Sequence, residues 1–178
     1  SDYRALNNLA QQAISKGDMA AAQNYLKQAA NVNKNASEVN TNLALMALKS
    51  GDVAKAETYL SKGTGSDTFK EVMGNLNIAK GNYTQAASDL AGVNTNSAAL
   101  AQILAKDYTS AKTTLSKIKN ADATTSYLQA VLAARTGDSS ALSSSLKNAI
   151  QQDGTLAARA AKDLEFAKYA NVVKNLVK

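Results

Sequence analysis

Apolar side chains recur at every third or fourth position along most of the chain, whereas β-branched residues nowhere alternate over a useful length. This pattern predicts an all-α fold. Between the helical stretches one short element returns: Gly17-Asp18-Met19, Gly51-Asp52-Val53, Gly81-Asn82-Tyr83, Lys106-Asp107-Tyr108 and Gly137-Asp138-Ser139. Five residues past its first member stand Ala22, Ala56, Ala86 and Ala111, with Leu142 in the fifth copy. Nine residues past it stand Leu26, Leu60, Leu90, Leu115 and Leu146, and eight residues before it stand Leu9, Leu43 and Met73.

The element has a direct physical reading. Glycine tolerates the positive φ that closes a helix. The Asp or Asn that follows accepts hydrogen bonds from the free amides opening the next helix. The small residue lets two helices cross closely, and the leucine four residues on lies on the same face. Each copy is therefore a helical hairpin, which buries its apolar face only by stacking on a neighbour. The prediction is one domain, residues 1–178, of about five hairpins over 3–31, 37–62, 68–91, 96–118 and 124–151. Residues 155–177 read as capping helices, with Leu164, Phe166, Ala167, Val173 and Leu176 covering the end of the stack. Leu128 lies nine rather than eight residues before Gly137, which predicts one extra residue in the fifth turn.

Composition supports helices: alanine is abundant and proline absent. Without cysteine there is neither disulfide nor thiolate metal site. The longest apolar run, Leu43 to Leu48, is too short to cross a bilayer, and no signal peptide is visible. The helical pattern begins by Tyr3, as expected of an excised domain or mature fragment. The net charge of +6 is uneven. Basic residues dominate in 96–120 (Lys106, Lys112, Lys117 and Lys119 against Asp107) and in 155–178 (Arg159, Lys162, Lys168, Lys174 and Lys178 against Asp163 and Glu165). The lysines are sparser than in a nucleic-acid stripe and the chain has only three arginines, so solvated helix faces are the expectation there.

Catalytic apparatus is hard to find. The chain has no histidine, which removes the commonest general base and metal ligand. Asp18, Asp52, Asp107 and Asp138 each fall at a helix start and read as caps. Gly63-Thr64-Gly65-Ser66-Asp67 follows a helix rather than a strand and lacks the lysine of a phosphate-binding loop, so it reads as a linker. Tyr3 and Tyr127, on first helices, are the tyrosines most open to a binding role. The expectation is a non-enzyme without cofactor or metal.

The turn element, the small residues Ala10, Ala44 and Gly74 in the first helices, and the 34-residue spacing of the first two turns resemble the tetratricopeptide repeat (TPR) family. Later spacings of 30, 25 and 31 residues, the missing tryptophan and the missing closing proline depart from its pattern. The resemblance implies a right-handed helical-hairpin solenoid. Asn8-Leu9-Ala10, Gly81-Asn82-Tyr83, Asn96 to Ala101, Tyr127 to Val131 and Ala160 to Lys168 look more narrowly like the C-terminal TPR segments of Bacteroidetes cell-envelope proteins, some with OmpA-like domains. That likeness implies a periplasmic or outer-membrane-associated protein.

In such an array the first helices line a concave groove. Asn8 and Asn42 occupy one repeat position, and the resemblance implies that their amides hold the backbone of an extended peptide. Asn7, Gln11, Thr41, Leu45, Glu71 and Asn75 would share the groove. A carboxylate clamp is not expected, since Asn7, Thr68 and Val72 stand where it needs cations. The predicted role is a monomeric scaffold binding a protein or peptide partner, with nucleic acid disfavoured. The competing readings are polyanion binding through 96–120 and 155–178, and a glycan-acting enzyme using Glu38, Glu57, Glu71 or Glu165.

Overall fold

The structure, a computed structural model, describes residues 2–178. The fold is all-α, with five helical hairpins followed by a C-terminal cap. The first three hairpins pair α1 (Tyr3–Ser15) with α2 (Met19–Val32), α3 (Ser37–Lys49) with α4 (Val53–Leu60) and α5 (Asp67–Ala79) with α6 (Tyr83–Asp89). The last two pair α7 (Asn96–Leu104) with α8 (Tyr108–Ser116) and α9 (Ala123–Thr136) with α10 (Ser139–Gln152). The cap is α11 (Leu156–Lys162), a 3-10 turn (Leu164–Tyr169) and α12 (Ala170–Leu176). The helix ends fall within about two residues of those read from periodicity, well inside the usual uncertainty of helix boundaries. The chain divides into two compact units, Ser1–Leu90 and Ala91–Lys178.

All five turns share one geometry. The amides of Asp18, Asp52, Asn82, Asp107 and Asp138 each reach back to the carbonyl five residues earlier, at Ala13, Ala47, Asn77, Gln102 and Ala133, and so close the first helix. The carboxylates of Asp18, Asp52, Asp107 and Asp138 then accept from the amides of Ala21, Lys55, Ser110 and Ala141. Asn82 makes no such side-chain bond. The fifth turn has no extra residue, contrary to the reading from Leu128. Its register matches the others once Ala130 is aligned with Ala10, Ala44, Gly74 and Ala99, which places Gln129 where Leu9, Leu43 and Met73 stand.

The fourth turn departs in one respect. Lys106 adopts φ 65°, where the other four turns have glycine at φ 78–82°. A side chain in this left-handed region costs about 1–2 kcal/mol. Lys106→Gly is therefore expected to stabilise the protein by about 0.5–1 kcal/mol after the greater entropy of unfolded glycine is subtracted. A raised melting temperature with an unchanged far-UV spectrum is the expected result.

In the first unit two clusters fill the space between hairpins. Leu26, Ala29, Val39 and Leu43 form one, and Ala47, Leu60, Val72 and Leu76 form the other. Gly74 holds the small-residue position of α5 because a Cβ there would overlap the side chain of Leu90. Alanine suffices at the equivalent Ala10 and Ala44, both fully buried. Gly63 lies against the Phe69 ring, 2.6 Å from where its Cβ would be, so packing accounts for a glycine in the linker.

In the second unit a single cluster runs from Ile103, Leu115 and Leu128 through Leu142 and Leu146 to Phe166 and Val173. The cap corrects the reading of its covering residues. Phe166 and Val173 are buried and Leu176 half-buried, but Leu164 is 88% exposed and Ala167 is exposed as well. The cause is the 3-10 turn, whose three-residue period sets Phe166 and Tyr169 on one face and Leu164 and Ala167 on another.

Candidate functional site

The eight candidate groove residues lie on α1, α3 and α5 of the first unit, but burial divides them. Asn42 is buried and donates from Nδ2 to Oδ1 of Asn7 at 2.8 Å, and Asn7 is itself buried. The pair bridges the first two hairpins. Asn8, one residue on, turns about 100° round the helix and is exposed. Asn8 and Asn42 thus share a repeat position without sharing an environment. Thr41 is also buried, its hydroxyl donating to the Ser37 carbonyl at 2.9 Å. Leu45 packs at the edge of the second cluster. Glu71 and Asn75 are half-buried on α5. Asn8 and Gln11 line a shallow depression of about 430 Å³ on α1, completed by Gln12, Ser15 and Lys16.

The buried amide pair gives a test of its structural role. Asn7→Leu or Asn42→Leu alone strands one buried amide and should cost about 1–3 kcal/mol. The double substitution removes both polar groups, so its cost should fall below the sum of the singles by about 1 kcal/mol in urea unfolding.

Several polar contacts of the second unit escaped the sequence reading. Tyr127 is only 2% exposed, so its side chain is a core element rather than an open binding group. Its hydroxyl donates to Oδ2 of Asp163 at 2.6 Å, its ring meets Phe166 edge-on, and the Arg159 guanidinium lies 4.6 Å above it. Burial, then the hydrogen bond to Asp163 and its charge, push the Tyr127 hydroxyl pKa well above its ordinary value. Arg135 grips Glu165 with two nitrogens, Nε at 2.8 Å and Nη2 at 2.7 Å, and gives Nη1 to the Ile103 carbonyl at 3.0 Å. That carbonyl, in the last turn of α7, also accepts the Lys106 amide. Hydrogen bonding to Glu165 raises the Arg135 pKa further. Asp122 caps α9 and accepts from Asn96, and the Thr125 amide foremost holds its carboxyl below the usual range.

A cleft of about 640 Å³ lies among α8, α9 and α10, with Gln129, Leu132 and Ala133 on α9 and Thr109, Lys112, Thr113, Ala141 and Ser145 on its flanks. These flanking side chains are mostly short, so α8 and α10 leave α9 partly uncovered between them. Among the described residues no group of His, Cys, Asp or Glu could hold a metal ion, and no helix is long and apolar enough to cross a membrane.

Comparison with known proteins agrees with this architecture. A family model described as tetratricopeptide repeat matches residues 13–72, from the end of α1 into the first half of α5. No curated protein matches the chain. Among solved structures, a thermophilic TPR protein of Thermus thermophilus is similar with a TM-score of 0.65 at 18% identity, over 96% of this chain and 98% of that one. A tetratricopeptide repeat protein of Parabacteroides merdae is similar with a TM-score of 0.60 at 20% identity, over 97% of this chain and 76% of that one. The protein thus has the fold of bacterial tetratricopeptide repeat proteins, with a recognisable repeat at residues 13–72.

Proposed function

We propose that the chain is a non-catalytic interaction or assembly scaffold that takes a peptide or partner domain in a groove formed by the first helices of its first unit. The observation that supports this most is the exposed amide surface on α1. Asn7 and Asn42 satisfy each other, which leaves Asn8 and Gln11 exposed beside Gln12, Ser15 and Lys16. Primary amides both donate and accept, so they suit a peptide backbone without demanding one sequence. Leu45, Glu71 and Asn75 extend the same reading towards α5. The protein acts as a monomer within a bacterial envelope protein, in keeping with the sequence resemblance; cell fractionation and analytical ultracentrifugation test those two points.

The experiment is a pull-down from the native envelope fraction, followed by affinity measurement on the captured partner. Asn8→Ala combined with Gln11→Ala removes two exposed amides and leaves the core intact. Affinity should fall about five- to thirtyfold if each contributes an ordinary hydrogen bond. An undiminished affinity would remove the groove from consideration.

A second reading, polyanion binding, draws on one observation. Between 155 and 178 every exposed charged residue is basic. In 96–120 the exposed Lys106, Lys112, Lys117 and Lys119 are accompanied by the exposed Asp107, so that segment supports it less. Binding of this kind weakens steeply with added salt.

A further inference from the structure

Leu164 is the large apolar residue that the second unit leaves most open, at 88% exposure. Phe166, in the same short turn, enters the core, yet the 3-10 period turns Leu164 and Ala167 outward together. The exposed charges nearest Leu164 in the chain are basic. Lys162 lies two residues before it, within about 7 Å along the chain, and Lys168 one 3-10 turn and a residue beyond, at about 8 Å. Arg159, Lys174 and Lys178 complete the exposed charges of residues 155–178.

The acids of the same stretch are engaged elsewhere. Asp163 is half-buried and accepts from the Tyr127 hydroxyl and the Glu165 amide. Glu165 is half-buried and held by Arg135. Each carboxylate is thus turned to an internal partner, which leaves only basic groups among the exposed charges of residues 155–178. An exposed leucine in a stretch whose exposed charges are all basic fits the boundary between headgroups and acyl chains in an anionic leaflet.

We propose that this end of the second unit docks peripherally on an anionic lipid surface, with Leu164 entering the acyl boundary and Lys162, Lys168 and their neighbours seated among the headgroup phosphates. The proposal rests on the polyanion reading and narrows it. Nucleic acid fits less well, because base stacking needs an exposed aromatic. Phe166 is buried and Tyr169 half-buried, and an exposed leucine gives a base nothing to pair with.

The test is sedimentation of the full chain with vesicles at low ionic strength, using phosphatidylcholine alone or mixed with phosphatidylglycerol. Binding to the mixed vesicles alone is expected. Leu164→Ser should weaken it about tenfold. Lys162→Glu with Lys168→Glu should weaken it by at least about 25-fold, at roughly fivefold per cation lost. All three side chains are exposed, so an unchanged circular dichroism spectrum serves as the check on folding. Equal binding to neutral vesicles, or indifference to Leu164→Ser, overturns the lipid assignment. A parallel titration with a single-stranded oligonucleotide separates the two levels. Tighter binding there, unaffected by Leu164→Ser, would leave the polyanion reading standing without the lipid; no binding to either would end both.

Discussion

Phe166→Ala is expected to destabilise the second unit by about 3–5 kcal/mol, the range for removing a large buried aromatic. Phe166 is 2% exposed and belongs to the cluster that joins the cap to the last hairpin. Its ring centroid lies 5.5 Å from that of Tyr127 in an edge-on arrangement, a contact that adds to area burial alone. Arg135 on Glu165 and the Tyr127–Asp163 bond hold the 3-10 turn in place, so little can collapse into the vacated space. Phe166→Leu retains most of the volume and should cost less than about 1.5 kcal/mol. Hydrogen exchange at the amides of α9 to α12, with a urea melt, separates the two variants. Near-equal stability of the alanine variant and the parent would mean that the cap is not cooperative with the last hairpin.

Arg135→Ala is expected to cost about 2–4 kcal/mol. The side chains of Arg135 and Glu165 are 23% and 27% exposed, between the surface regime in which ion pairs contribute little and the buried regime in which a broken pair is severe. Two losses coincide: the two-nitrogen grip on Glu165, which leaves a half-buried carboxylate without its cation, and the bond to the Ile103 carbonyl. Arg135→Lys should recover only part, because an ammonium cannot offer the planar fork. Pairing Arg135→Met with Glu165→Leu should recover more than Arg135→Met alone, since it removes the stranded charge. Thermal melts of the four variants check this ordering, and a lysine variant as stable as the parent would refute the importance of the fork.

The hairpins were legible in the residues because their information is local. A glycine that closes a helix, an acid that caps the next, and an alanine and leucine at fixed offsets act within about ten residues of one another. The same logic identified the four aspartates as caps, and the structure shows each accepting the expected amide. It failed at the fifth turn, where Leu128 suggested an insertion. Two adjacent positions of a buried helix were both compatible with the apolar pattern, and only the aligned turn hydrogen bonds distinguish them.

The candidate site was legible only as a set of first-helix positions. Which amide faces solvent depends on the angle at which α3 lies against α1. That angle turns Asn42 towards Asn7 and leaves Asn8 outside. Periodicity assigns a residue to a helix face, but it carries no information on how much of that face a neighbour covers.

Residue order alone settled the all-α class, the number of hairpins and the four aspartate caps, since each follows from contacts between near neighbours in the chain. Tertiary structure decided the rest. It paired Arg135 with Glu165 across 30 residues and Tyr127 with Asp163 across 36. It also used the 3-10 period of the cap to bury Phe166 and expose Leu164. Such outcomes depend on where separate helices come to rest, which is fixed by packing over the whole unit rather than by any one stretch of residues.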